Sequence, residues 1–136
     1  MLYTQTLLDH FEHPRNVGEI ADADGVGEMC DPSCGDFLKI WIKVEDEHLA
    51  DIKFKCKGCP AAIATASVLT EMAMGKHVDE AAEITNEMVA DAIGGLPLEK
   101  LHCSNIGAEA LWFAIEDYVF KPPKGEAGNG AKELDF

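Results

Sequence analysis

Three cysteines in this chain lie in short segments whose other residues also favour metal or sulfur chemistry. The segments are SCGD at residues 33–36, GCP at residues 58–60 and LHCS at residues 101–104. Thiolates such as those of Cys34, Cys59 and Cys103 select zinc or iron–sulfur clusters, because soft sulfur ligands match these metals. Asp36 and His102 stand beside two of the cysteines and offer harder, more exchangeable ligands. The combination predicts a soft-metal site with a labile position.

Two of these cysteines are expected at the beginning of helices. Pro60 is a favourable first helical residue, which makes Cys59 the expected N-cap. Cys103 directly precedes Ser104 and Asn105, which are both natural N-cap residues for a further helix. Unpaired backbone amides and the positive end of a helix stabilise an anion, so both positions favour a thiolate. Isolated cysteines are commonly small core residues, but three in these contexts favour a shared function.

The elements that must position the cysteines follow from hydrophobic periodicity. Strands are predicted at residues 26–30, 37–44 and 49–55, with a hairpin connection at residues 45–48. In an antiparallel meander, the turn before the second strand and the exit from the third lie at one end of the sheet. Cys34 occupies that turn and Cys59 that exit, so we expect them to lie close together. A helical segment returning across the sheet could bring Cys103 to the same end.

Helical periodicity and breakers divide the rest of the chain. Helices are predicted at residues 2–11, from residue 59 to a stop at Gly75, and at residues 78–84, 87–93 and 105–120. In the second helix the apolar positions that recur at helical spacing are Ile63, Ala66, Leu69 and Met72. We expect one domain over residues 1–121 and a disordered tail over residues 122–136, which is rich in glycine and charge. Four histidines without a ligand context are expected at the surface: His10, His13, His48 and His77.

Charge and cysteine usage restrict the function classes. The formal net charge of −14 argues against binding of nucleic acid or an anionic membrane surface, and it suits a basic protein partner. The N-terminal residues resemble neither a signal peptide nor a transit peptide, and no apolar run approaches the length of a membrane span. The five cysteines are therefore expected to be reduced thiols in a cytoplasmic protein rather than disulfides.

The three cysteine segments, in this order and spacing, resemble those of the IscU and NifU N-terminal-domain family of iron–sulfur cluster scaffolds. The likeness covers residues 1–120. Besides Tyr3, it rests on DHFEHPRNVG at residues 9–18, CGD at residues 34–36, GCPAAIA at residues 58–64 and LHCS at residues 101–104. The resemblance implies an α+β fold in which helices pack on one face of a small three-stranded antiparallel sheet. It also implies a scaffold rather than an enzyme.

The resemblance further implies how the site would work. A cysteine desulfurase would deliver sulfur as a persulfide on Cys103, iron would arrive from an iron-delivery protein, and ferredoxin would supply electrons. A labile 2Fe–2S cluster would form on Cys34, Cys59 and Cys103 and pass to apo iron–sulfur proteins. Asp36 and His102 would be its exchangeable ligands. Zinc is an alternative occupant of these ligands in the isolated protein, and Tyr3 matches a family tyrosine linked to a homodimer.

Two departures from the family pattern leave alternatives open. Residues 96–100 read LPLEK where the chaperone-recognition stretch of the family reads LPPVK. Cys30 and Cys56 are additional, and with Cys34 and Cys59 they form C-x3-C and C-x2-C pairs. These four could build a structural zinc site. Alternatively, Cys30 and Cys56 could supply extra ligands to a 4Fe–4S cluster or relay sulfur.

Two other functions compete with the scaffold. A zinc-containing sulfur acceptor of the SufU type would bind zinc through Cys34, Asp36, Cys59 and Cys103. That branch carries an insertion between its second and third cysteines, and the step from Cys59 to Cys103 is too short for one. A Cys–His nucleophile enzyme would use Cys103 with His102, but neighbouring residues do not face each other well on a helix.

Overall fold

The computed structural model describes residues 3–31, 35–96 and 105–120 and confirms the α+β class. The elements, in chain order, are α1 (Gln5–Glu12), β1 (Gly25–Asp31), β2 (Asp36–Glu45), β3 (His48–Lys57), α2 (Pro60–Ala73), α3 (Val78–Ala81), α4 (Asn86–Ala92) and α5 (Gly107–Phe120). Each predicted strand and helix is present, with bounds that differ by a few residues at the ends. The predicted tail at residues 122–136 lies outside the described residues.

The three strands form an antiparallel meander in the order β1-β2-β3. The hairpin between β2 and β3 has Asp46 and Glu47 as its two loop residues, with φ of 54° and 64°. Two left-handed residues give a turn whose twist matches that of the strands it joins. The alternation along β2 buries Leu38, Ile40 and Ile42 on one face, as the sequence predicts.

Helices α2 and α5 pack on the buried face of the sheet, α2 against β3 and α5 against β1 and β2. The approach of α5 to β1 depends on two glycines. A Cβ atom on Gly27 would overlap the carbonyl oxygen of Ala110, and one on Gly25 would overlap that of Ala114. Since the two backbones are this close, no side chain fits between them.

Helix α2 is buried on more of its circumference than the predicted stripe. Of the four predicted core positions, Ala66 and Leu69 are buried, whereas Ile63 and Met72 are only half-buried. The buried set also includes Ala61, Ala62, Ala64, Thr65, Ser67, Val68, Thr70 and Ala73. Helices α1, α4 and α5 also contact α2, and they bury parts of its surface that do not face the sheet.

Helix α1 is fixed to α2 by a polar contact that the sequence did not reveal. His10, expected at the surface, is only 7 % exposed, and its Nδ1 shares a hydrogen bond of 2.7 Å with the Oγ of Ser67. The backbone N–H of Arg15 also donates to that Oγ, at 2.9 Å. The prediction for His10 was wrong because a partner on another helix satisfies the ring. His13 and His48 are exposed, and His77 is half-buried.

The connector after α1 covers the outer edge of β3. The N–H of Phe54 donates to the carbonyl of Asn16 at 2.9 Å, and the N–H of Gly18 donates to the carbonyl of Phe54 at 2.9 Å. Val17 thereby forms a parallel bridge with Phe54. Within the described ranges, none of the helices is both long and apolar enough to cross a membrane.

Candidate functional site

Asp36 and Cys59 meet at one end of the sheet. Asp36 is the first residue of β2, and Cys59 follows β3 by two residues. The N–H of Cys59 donates to Asp36 Oδ1 at 3.3 Å, and the thiol of Cys59 lies 3.8 Å from Asp36 Oδ2. A thiol and a carboxylate at this separation can ligate the same metal ion. The start of β2 and the exit from β3 thus lie at one end of the sheet, as the meander predicts. The closeness of Cys34 to Cys59 stays a prediction, because Cys34 lies outside the described residues.

Cys59 is the N-cap of α2, and Pro60 is the first residue of that helix. The side chain of Cys59 makes no capping hydrogen bond with the amides of this first turn. The positive end of α2 therefore faces the region around the Cys59 sulfur. The predicted N-cap role of Cys59 is confirmed.

Gly58 allows the close approach of Asp36 and Cys59. A Cβ atom on Gly58 would lie 2.6 Å from Asp36 Oδ1 and 2.9 Å from its Cγ. Asp36 is only 2 % exposed, so its carboxylate has little space into which it could move. The sequence contained a signal, a glycine directly before Cys-Pro, but its contact with a residue 22 positions away was not predicted.

Gly35 lies at the turn into β2, directly before Asp36. In the structure it has a φ of 73°, and a Cβ atom there would have no neighbour within 4 Å. Its requirement for glycine therefore comes from the left-handed backbone at the turn into β2.

Cys56 lies beside this site on the buried face of the sheet. It pairs with Leu38 across β2 and β3 and packs against the hydrophobic core. Burial raises the pKa of the Cys56 thiol to about 12, and the nearby Asp36 and Cys59 add to that rise. In the absence of a metal, Cys56 is therefore a neutral thiol at physiological pH.

Cys30 lies on the opposite face of the sheet from Cys56. Directly paired residues share a face, and Cys30 pairs with Phe37 whereas Cys56 pairs with Leu38, the next residue of β2. Cys30 is also exposed. The arrangement disfavours a zinc site that includes both additional cysteines, because the sheet would lie between two of its ligands.

Three predicted ligands, Cys34, His102 and Cys103, lie outside the described residues. Within the described part of the chain, no group of three or more His, Cys, Asp or Glu side chains could hold a metal ion. The predicted site needs the other three residues to be complete. Tyr3, the predicted dimer residue, is half-buried and packs against the core.

The direction of α5 relative to the sheet follows from its contacts with β1. Gly25 lies against Ala114 and Tyr118, and Gly27 lies against Ala110, so α5 runs antiparallel to β1. Advancing along β1 toward Asp31 therefore corresponds to moving back along α5 toward its first turn. The N-terminal end of α5 points toward the end of the sheet that carries Asp36, because Asp31 and Asp36 are paired there.

A three-stranded antiparallel sheet with α2 and α5 on one face, and a cysteine–aspartate contact at its end, defines a small α+β domain. The chain belongs to the NifU-like N-terminal domain family, whose model matches residues 2–124. It is similar to the iron–sulfur cluster assembly scaffold protein IscU 1 of Archaeoglobus fulgidus. The two are 55 % identical over 123 residues, which are 90 % of this chain and 80 % of the relative.

A second relative and a solved structure are also similar to this chain. The chain is 43 % identical over 125 residues to the iron–sulfur cluster assembly scaffold protein IscU of Escherichia coli K12, covering 89 % of this chain and 97 % of that protein. The fold matches the crystal structure of the N-terminal part of a nitrogen-fixing NifU-like protein from Brucella abortus. That match has a TM-score of 0.71 and 18 % identity, and covers 88 % of this chain and 95 % of the other.

Proposed function

We propose that this protein is a scaffold on which iron–sulfur clusters are assembled before transfer to apo-proteins. The contact between Cys59 and Asp36 at the end of the sheet is the observation that carries the proposal. It brings together a sulfur and an oxygen ligand from segments that are 23 residues apart. Membership of the NifU-like N-terminal domain family, with relatives named as IscU scaffold proteins, supports the same function.

In this proposal the ligands fall into two groups that differ in chemical hardness and therefore in how firmly they bind iron. Cys34, Cys59 and Cys103 supply thiolates, which bind iron firmly, and Asp36 and His102 supply ligands that exchange. The amide of Cys59 engages Asp36 Oδ1, which leaves Oδ2, beside the thiol, as the oxygen nearer to an incoming metal. A hard oxygen donor that is already hydrogen-bonded holds iron weakly, so the cluster can leave.

The cargo and partners follow from the same chemistry. Cys103 accepts sulfur as a persulfide from a cysteine desulfurase, an iron-delivery protein supplies iron, and ferredoxin supplies electrons. The product is a 2Fe–2S cluster, passed to apo iron–sulfur proteins, and zinc occupies the ligands of the isolated protein. The protein does not itself catalyse a reaction. Its free thiols require a reducing compartment, for which we propose the cytoplasm.

The test is anaerobic reconstitution with desulfurase, cysteine and ferrous iron. The protein should acquire iron and acid-labile sulfide with visible charge-transfer absorption. Separate Cys34→Ser, Cys59→Ser and Cys103→Ser changes should each weaken this, whereas the matched controls Cys30→Ser and Cys56→Ser should not. If the two control changes abolish metal binding and Cys103→Ser leaves it intact, a structural zinc site replaces the proposal.

Asp36→Ala tests the exchangeable ligand separately. Without its hard oxygen donor the cluster should persist longer after chelator or apo-protein is added, as followed by the decay of the visible absorption. Faster loss of the cluster from Asp36→Ala would contradict the role proposed for this carboxylate. If the protein instead takes up zinc but neither iron nor sulfide under these conditions, a SufU-type sulfur acceptor is the better description.

A further inference from the structure

Charge is divided unevenly between the two sides of the molecule. Residues 77–96 and 105–120, which include α3, α4 and α5, contain eight aspartate and glutamate residues and no lysine or arginine. Five lysines instead lie on β2 and β3, at positions 39, 43, 53, 55 and 57. Four of these lysines pair with carboxylates near the sheet. The ion pairs found for these lysines are therefore with carboxylates outside α3, α4 and α5.

A groove opens on this acidic side, between the segment that joins α3 to α4 and the first half of α5. Its volume is about 460 Å³, and its lining includes Ile84, Asn86, Glu87, Glu109 and Trp112. Ile84 is buried and forms an apolar floor, whereas Trp112 is 46 % exposed. An exposed tryptophan beside an apolar floor is typical of a site that another molecule covers.

The walls of the groove are fixed by hydrogen bonds around Asn86. Its side-chain amide donates to both carboxylate oxygens of Glu109, at 2.9 and 3.0 Å. Its side-chain oxygen accepts from the N–H of Ala108 at 3.3 Å, and its backbone carbonyl accepts from the side chain of Asn105 at 2.8 Å. These bonds join the beginning of α4 to the beginning of α5. A ligand would therefore meet a preformed surface and would not have to order it.

The carboxylates at the groove have no cationic partner within the described chain. Glu109 is engaged by a neutral amide, and Glu87 is exposed on the first turn of α4. Met88, the next residue, is 45 % exposed and accepts a hydrogen bond at its sulfur from the N–H of Thr85, which also lines the groove. The surface thus combines apolar and aromatic side chains with uncompensated negative charge.

We propose that this groove binds a basic amphipathic helix of another protein. An apolar side chain of that helix would pack on Trp112 and Ile84, while lysine or arginine side chains on its flanks would pair with Glu87 and Glu109. Charge complementarity selects this occupant over a second copy of the chain, because each copy carries a net charge of −14. The inference does not depend on cluster assembly, since the groove contains none of the predicted ligands.

The first test uses a labelled synthetic helical peptide of leucine and lysine, with the leucines on one face. Trp41→Phe leaves Trp112 as the sole tryptophan, so its emission reports occupancy of the groove. The peptide should bind saturably, shift that emission to shorter wavelength, and bind more weakly as salt rises. Trp112→Ala in the full chain should reduce the affinity about tenfold or more, as expected for a central aromatic contact. Absence of binding at about 100 µM peptide would overturn the proposal.

Matched variants separate the groove from general electrostatic attraction. Glu87→Lys should weaken binding about fivefold to tenfold, whereas Glu12→Lys, the same charge change at an exposed site on α1, should weaken it less than about twofold. Equal effects of the two changes would overturn the proposal, and so would equal binding of a peptide in which serine replaces every leucine. A chain that sediments as a dimer which Trp112→Ala dissociates would show that a second copy occupies the groove.

Discussion

Replacement of Gly58 by alanine should displace the carboxylate of Asp36, because the new Cβ atom would lie 2.6 Å from Asp36 Oδ1. That is about 0.8 Å short of the ordinary contact distance of 3.4 Å. A shift of Asp36 would also break its hydrogen bond with the N–H of Cys59. Alanine therefore introduces a steric overlap and removes a bond at the same place.

The size of the effect follows from three contributions. Overpacking of a filled site costs about 1–3 kcal/mol. Loss of a hydrogen bond to a buried carboxylate costs about 1.5–3 kcal/mol. Alanine also restricts the unfolded chain, which stabilises the fold by about 0.4–1 kcal/mol. We expect the free energy of unfolding to fall by about 2–4 kcal/mol, which lowers the urea midpoint by about 1–2 M for a domain of this size.

A double-mutant cycle on the metal-free protein isolates the cause. Urea unfolding followed by circular dichroism would compare Gly58→Ala in the natural sequence and in Asp36→Ala. Without the carboxylate, the two closest contacts of the new Cβ are gone and the nearest one left is with Ala62, at 3.1 Å, so the cost should fall below about 1 kcal/mol. Gly35→Ala is the control, because it strains a φ of 73° in open space and should cost the same in both backgrounds.

One result would refute this reasoning. If Gly58→Ala lowers the free energy of unfolding equally with and without the Asp36 carboxylate, the overlap with Asp36 is not the cause. The glycine would then be needed for some other reason, and the close packing of Asp36 against Gly58 would not constrain the site.

Three further outcomes are expected. Iodoacetamide should modify Cys30 rapidly and Cys56 slowly in the metal-free native protein, because Cys30 is exposed while burial raises the pKa of Cys56 to about 12. Peptide mass spectrometry would measure both modification rates, and equal rates would contradict this prediction. The pKa of His10 is lowered from 6.5, chiefly by burial and also by Arg15. As the pH falls, the unfolded chain therefore binds a proton at His10 at a higher pH than the folded chain does. The contribution of His10 to the free energy of unfolding should be retained above pH 6.5 and lost as the pH falls through 6.5 toward the folded pKa. Urea midpoints at several pH values should show this component in the natural protein and not in His10→Asn; an unchanged profile would refute it. Gly27→Ala should lower the free energy of unfolding by about 3 kcal/mol in urea titrations, because a Cβ atom there separates α5 from β1, and a neutral effect would show that the helix can withdraw at little cost.

The strands and the N-cap of α2 could be predicted because their signals are local. Alternation along β2 decides which of its side chains, such as Leu38 and Ile40, face the core. Pro60 fixes the first turn of α2 and leaves Cys59 as its cap. The parity of an antiparallel meander also predicted that the start of β2 and the exit from β3 share one end of the sheet, where Asp36 and Cys59 are in contact. The ligand roles of Cys34, His102 and Cys103 stay predictions.

Contacts between distant segments could not be predicted in the same way. The burial of His10 depends on Ser67, which lies 57 positions away on another helix. The separation of Cys30 from Cys56 depends on strand register, because a shift by one residue would move either cysteine to the other face. The sequence spacing of these two cysteines suggested a common site, and only the pairing with Phe37 and Leu38 shows that they point apart.

The connector at residues 13–18 shields a strand that would otherwise be open to addition. Asn16 and Gly18 satisfy the two outward backbone groups of Phe54, and the segment is tied down by the bond from Arg15 to Ser67. If α1 detached, those groups of β3 would be free to pair with an extended segment of another molecule. Helix α1 therefore helps to prevent other molecules from adding a strand at the edge of β3. Truncation at the N-terminus should promote aggregation rather than only loosening the fold.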